Sequence, residues 1–351
     1  MPLIAHNDLP TYKRLMDEGR SVLPQGRAVT QDIREMHIGL LNLMQDAALE
    51  ATERQFFRLV GESNKIAQFY IHPFTLPEVE RSAEAQAHID RYYTTFDKVK
   101  TEGLDALIVT GLNASGPELS ELPIWKPLIE VFDWAWENTT STMTACLATH
   151  AVMEFRYGQK RQPLENKRWG VYKSRVRQRN HPIVEGMNTV FDVPHSRWNN
   201  ISWEQFEAAN MRILVNSHEG GVHCATSPDG FRLVCFQGHQ EYDTVSLLKE
   251  FRRDAELYFK GERAVFPPYP DHYLSDDAQD LLDKWKAESL KAGEFLKFPE
   301  EELEPLIENT WRDSAKAIVG NWIGKVYQLT HMDRDKPFMD GVDPNNPLRI
   351  Y

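Results

Sequence analysis

Three residues in the sequence supply the parts of a thiol-based group-transfer centre: Cys146, His239 and Glu241. Cys146 stands where the β-prone stretch TSTMTA gives way to the helical pattern LATHAVMEF, with small Thr144 and Ala148 on either side. An abrupt strand-to-helix turn of this kind needs small neighbours because it projects a nucleophile from a tight bend. The start of the following helix favours a thiolate, and the backbone N–H of Leu147 is placed to meet a developing oxyanion. A free cysteine is also a common occupant of an apolar core, and that reading stands beside the first. His239 and Glu241 fall in GHQEYD after the apolar run FRLVCF, and extended backbone would put both on one face. A carboxylate beside an imidazole orients the ring and stabilises its cation, leaving the other nitrogen to act as base toward a thiol or hydroxyl.

The elements around these residues alternate. MHIGLLNLM (36–44), AQFYIHPF (67–74) and DALIVTGLN (105–113) have strand composition, while 46–61, 125–139 and 245–259 carry apolar residues at helical spacing. Between 212 and 243 there are three β-prone pieces, two of them separated by the turn Pro228-Asp229-Gly230. Short buried strands alternating with helices predict an α/β fold, a mostly parallel sheet covered by helices on both faces. Residues 1–30 read as a lead-in segment and 31–351 as a single α/β domain. Within it 265–277, rich in Pro and acidic residues, is an irregular excursion, and 278–329 forms a closing helical region.

Composition narrows the function classes. The net charge of −12 argues against a protein that coats nucleic acid or an anionic membrane. No apolar run reaches the roughly 18–20 residues that span a bilayer, and the first twenty residues lack the layout of a secretory signal. Three scattered cysteines suit a reducing compartment, so the expected location is the cytoplasm. His218, His223 and Cys224 lack a recognised ligand spacing, so no metal is expected. Gly220-Gly221 is a turn and not a phosphate loop, and the basic run 173–179 reads as a solvated strand or loop. His37, His72, His150, His181 and His195 read as packing or hydrogen-bonded residues, although His195 adjoins Ser196.

The strings TSTMTAC ending at Cys146, VTG (109–111), PHSR (194–197) and GHQEYD (238–243) resemble the homoserine O-acyltransferase family of methionine biosynthesis, whose fold is similar to class I glutamine amidotransferases and flavodoxin-like. The similarity runs from QDIREMHIGLLNLM through KRWGVY (167–172) and EFRRD (250–254) to NWIGKVYQLT (321–330). The resemblance implies that Cys146 accepts the acyl group, His239 is the general acid and base, and Glu241 orients it. Lys167, Ser196 and Arg253 match substrate-contact positions, and the backbone at Gly111 and Leu112 resembles the second half of an oxyanion hole. Ser115 matches the position associated with acyl-donor choice. It is neither Gly nor the Glu often found with acetyl-CoA, and its small size favours succinyl-CoA over acetyl-CoA. The surrounding loop reads LNASGP where the family more often carries another proline-containing version. The implied partners are L-homoserine, acyl-CoA as co-substrate with no further cofactor, and a second copy in a homodimer. L-serine as acceptor, glutamine hydrolysis, and a ligand-binding protein without turnover remain the alternatives.

Overall fold

The computed structural model describes residues 3–20, 22–29, 34–63, 67–112, 114, 118–331, 333–334 and 341–350. Among these, eleven strands form one sheet: β1 Leu3–Ala5, β2 Val22–Pro24, β3 Glu35–Leu41, β4 Gln68–Phe74, β5 Ala106–Val109, β6 Ser141–Ala145, β7 Gln162–Val176, β8 Val190–Asn200, β9 Arg212–Ser217, β10 Gly221–Thr226 and β11 Leu233–Phe236. Their order is β2-β1-β4-β3-β5-β6-β11-β10-β9-β7-β8. From β2 to β11 every neighbouring pair is parallel, and from β11 to β8 every pair is antiparallel. The sheet is therefore mostly parallel, with an antiparallel wing.

The parallel half follows from its side chains. Met36, Ile38 and Leu40 of β3 enter one apolar cluster with Ile108 and Met143, while Leu41, Leu107 and Val109 enter a second on the other face. Strands apolar on both faces must be covered twice. Helices Asp46–Ser63 and Arg312–Leu329 cover the first face, and Trp125–Asn138 and Leu147–Tyr157 the second. The closing helix Arg312–Leu329 is pinned by Trp322, whose buried indole N–H donates to Ser141 Oγ at 2.8 Å. Burying such a side chain leaves its one polar atom in need of a partner, and β6 supplies it.

Two features differ from the periodicity reading. Within the expected lead-in, β1 and β2 are parallel strands that extend the sheet to its β2 edge, with Leu3 of β1 paired to Phe69 of β4. The long β7–β8 hairpin, which contains both KRWGVY and PHSR, shows no period in the sequence beyond those motifs and the basic run. The irregular stretch 265–277 docks on this hairpin. Asp271 exchanges backbone hydrogen bonds with Trp169 and Val171 at 2.8 Å each, and its carboxylate accepts from the Tyr172 hydroxyl at 2.7 Å. A third apolar cluster, built on Phe251, Trp285 and Trp311, joins helices Ser246–Phe259 and Asp276–Ala292 to Trp169 of β7. No helix among the described residues is long and apolar enough to cross a membrane, and no group of three His, Cys, Asp or Glu among them is arranged to hold a metal ion.

Candidate active site

Cys146 occupies a strained elbow. It joins β6 to helix Leu147–Tyr157 with φ 51° and ψ −114°, a conformation that side chains avoid and that persists only where the surroundings enforce it. The enforcement is visible. Cys146 N–H donates to Phe236 O at the end of β11 at 2.8 Å, and Thr149 Oγ1 bonds Thr144 Oγ1 at 2.9 Å, Thr144 O at 3.1 Å and Phe236 O at 2.9 Å. Leu147 opens the helix, so its N–H has no intrahelical acceptor. Gly111 follows the end of β5 so closely that a Cβ there would lie 3.3 Å from Cys146 Cβ and 3.8 Å from the Leu147 nitrogen. Backbone of two strand ends thus converges on the thiol. Leu112 is partly buried against the cluster that contains Leu147, whereas Ser115 lies outside the described residues.

Cys146 is the partly exposed cysteine; Cys224 and Cys235 are buried in β10 and β11. Burial pushes both of those thiols up, Cys235 to about 12, which keeps them protonated and inert.

His239 and Glu241 meet as the sequence predicts, by a different geometry. The chain after β11 turns, with Tyr242 N–H donating to His239 O at 3.3 Å, and this turn places His239 Nδ1 2.7 Å from Glu241 Oε1. The His239 backbone N–H is tied to Pro194 O of β8 at 2.8 Å, and the Tyr242 ring stacks on the imidazole at 4.3 Å. Burial pulls the His239 proton affinity down, but the Glu241 carboxylate and then Cys146 outweigh it and raise it well above the ordinary value. With Nδ1 held by Glu241, the buried Nε2 is the ring atom left for proton transfer.

Lys167 and Ser196 are brought together by a residue that motif reading did not single out. Glu250 accepts from Ser196 Oγ at 2.6 Å, Lys167 Nζ at 2.9 Å and Tyr242 Oη at 2.7 Å. Burial raises its carboxyl, yet Lys167 and these hydrogen bonds hold it below the usual range. Tyr242 thereby links the Glu250 group to the His239 ring. Arg253 follows on the same helix, Ser246–Phe259, but its guanidinium donates to Asp254 Oδ1 at 2.9 and 2.7 Å and not to Glu250. The available signal for Glu250 was its place three residues before Arg253 in EFRRD, which puts the two on one helix face.

The protein is of the α/β class, with a cysteine on a strained strand-to-helix elbow and a carboxylate-supported imidazole both at the C-terminal ends of parallel strands, where such folds place their ligand sites. The homoserine O-succinyltransferase family profile matches residues 2–332. The chain is 58% identical over 350 residues to the homoserine O-succinyltransferase of Thiobacillus denitrificans, covering all of both chains. It is 56% identical over 354 residues to that of Allochromatium vinosum, covering 100% of this chain and 99% of the relative. The chain belongs to the homoserine O-succinyltransferase family and is an acyl-transferring enzyme. Among solved structures, a glutamine amidotransferase from Thermotoga maritima aligns with TM-score 0.43 and 10% identity, covering 84% of this chain and 98% of that one.

Proposed function

We propose that the protein transfers a succinyl group from succinyl-CoA to the γ-hydroxyl of L-homoserine through a thioester on Cys146, as a step of methionine biosynthesis. The observation that carries this reading is the Cys146 elbow together with the buried His239–Glu241 pair. The names of the relatives favour succinyl over acetyl as donor.

The chemistry balances without an added redox partner. Cys146 Sγ attacks the thioester carbonyl, and the Leu147 N–H with backbone N–H groups at Gly111 and Leu112 receives the oxyanion. Collapse expels the CoA thiolate, which takes the proton held on His239. His239 Nε2 then removes the proton of the homoserine hydroxyl as its oxygen attacks the acyl-cysteine, and Cys146 leaves as thiolate. One thioester replaces another in the first half-reaction, so the task is positioning and oxyanion stabilisation. Glu250, with Lys167 and Ser196 around it, and Arg253 one turn on, offer an anion and cations to an amino-acid zwitterion. Acyl-CoA serves as co-substrate with no further cofactor, and the working form is a cytoplasmic homodimer, its assembly checked by light scattering.

Intact-mass spectrometry after incubation with succinyl-CoA or acetyl-CoA, followed by L-homoserine or L-serine, tests the reading. A succinyl adduct on Cys146 discharged by homoserine is expected. Full turnover by Cys146→Ala would overturn the mechanism, and discharge by serine at the same rate would overturn the acceptor.

A further inference from the structure

Behind the site lies a buried cation with no buried anion to match it. Arg197 of β8 is 3% exposed. Its guanidinium donates to His195 Nδ1, to Asn200 Oδ1 at 3.0 Å and to Gly220 O at 2.6 Å, all neutral acceptors. Arg168, its neighbour in the β7–β8 register, donates to the same Asn200 oxygen at 3.1 Å and the same Gly220 oxygen at 3.3 Å. Among the described residues neither arginine forms an ion pair with a carboxylate. Burying an unmatched charge is costly, so it persists where something else gains from it.

The hydrogen bonds lead from Arg197 to His239. Because His195 Nδ1 accepts from Arg197, the His195 ring carries its proton on Nε2 and is neutral. That ring lies under Gly238, where a Cβ would stand 2.8 Å from His195 Cε1, 2.8 Å from His223 Nδ1 and 2.6 Å from Val193 Cγ1. Only glycine allows the backbone that leads into His239 to sit so low. The same strand holds the site at two further points, since Pro194 O accepts from His239 N–H and Ser196 Oγ donates to Glu250.

We propose that Arg197 is a positioning residue for the transfer centre: it fixes His195 beneath Gly238, and so the seat of His239. This rests on the reading of Cys146, His239 and Glu241 as that centre. The groups facing Arg197 are Arg168 and Tyr172 of β7, His195 of β8, His223 of β10, His150 of helix Leu147–Tyr157, and Cys146. Burial first, and Arg168 next, pull the guanidinium down to about 9, which leaves it charged at neutral pH. Burial, then Arg197, also lowers His150, His195 and His223, so these three imidazoles stay neutral while His239 takes the proton.

The test is the rate of Cys146 alkylation by iodoacetamide at pH 7 on the full chain without acyl donor, for the parent, Arg197→Met and Arg197→Lys, with folding checked by circular dichroism. Arg197→Met is expected to alkylate about ten-fold more slowly, because the base beside the thiol loses its seat, and Arg197→Lys to restore the parent's rate. A folded Arg197→Met that alkylates at the parent's rate would overturn the proposal. Should Arg197→Met not fold, His195→Gln carries the test: kcat falls with KM little changed if the strut is real, and an unchanged kcat refutes it. Alkylation needs no acyl substrate, so failure here is distinct from failure of the acyl-transfer reading, which Cys146→Ala decides.

Discussion

Two histidine groups in this molecule, one buried and one half-buried, have their proton affinities shifted in opposite directions. At the site, His239 is held protonated beside Glu241. Near the start of the chain, His6, His37 and His72 gather under β1, β3 and β4, with His37 Nδ1 2.9 Å from His72 Nε2 and the His6 ring 5.2 Å from that of His72. Burial lowers all three, His72 to about 3. His37 also has a carboxylate nearby, Glu35, yet it is not rescued. Glu35 stands 3.5 Å away with its side chain 43% exposed, whereas Glu241 stands 2.7 Å from His239 with 5% exposure. Arg334 adds a repulsive charge near His37, although Asp105 offsets part of it. Burial does not decide the charge of an imidazole; a hydrogen-bonded carboxylate shielded from water does.

Removing the shielded carboxylate gives the largest effect. Glu241→Gln keeps the shape and withdraws the charge, so kcat should fall by about 10²–10⁴-fold. The His239 ring, followed by NMR, should titrate lower than in the parent. An imidazole still protonated well above neutrality in this variant would break the comparison.

The N-terminal group should respond to acid. A lowered folded value means stability is fully present above the ordinary 6.5 and is lost as pH falls toward about 3, because the unfolded chain binds the proton first. Each such group contributes a slope of about 1.4 kcal/mol per pH unit within that window. His72→Gln removes one titrating ring, so its unfolding free energy, measured in urea at pH 7 and at pH 5, should fall less than the parent's. An identical fall in both would show that the ring does not titrate there.

The smallest effect sharpens the contrast from the other side. Glu35→Gln should change stability by less than about 1 kcal/mol and leave kcat/KM within about two-fold, as expected for a solvent-screened pair. A loss comparable to that of Glu241→Gln would mean that exposure is not the deciding variable.

The sequence made the transfer centre more legible than the walls around it. Cys146 sits at a change of periodicity, and His239 and Glu241 follow an apolar strand that ends abruptly. Glu250 lacked any such mark, because a glutamate on an amphipathic helix looks solvated until the fold surrounds it with Lys167, Ser196 and Tyr242. The strands β1 and β2 have three residues each, too few to establish a period. The hairpin β7–β8 carries charged residues along its length, and only its register with β9 and with Asp271 gives it a buried face. The turn that joins His239 to Glu241 is anchored to Pro194 within β8, a contact invisible in local pattern.

The backbone at Cys146 sets thrift against purpose. Its φ of 51° suits a residue without a side chain, and glycine would relieve the bend while deleting the sulfur. Relaxing the chain at this one position therefore removes the sulfur on which the proposed transfer depends, so an easy backbone and a reactive thiol exclude one another there.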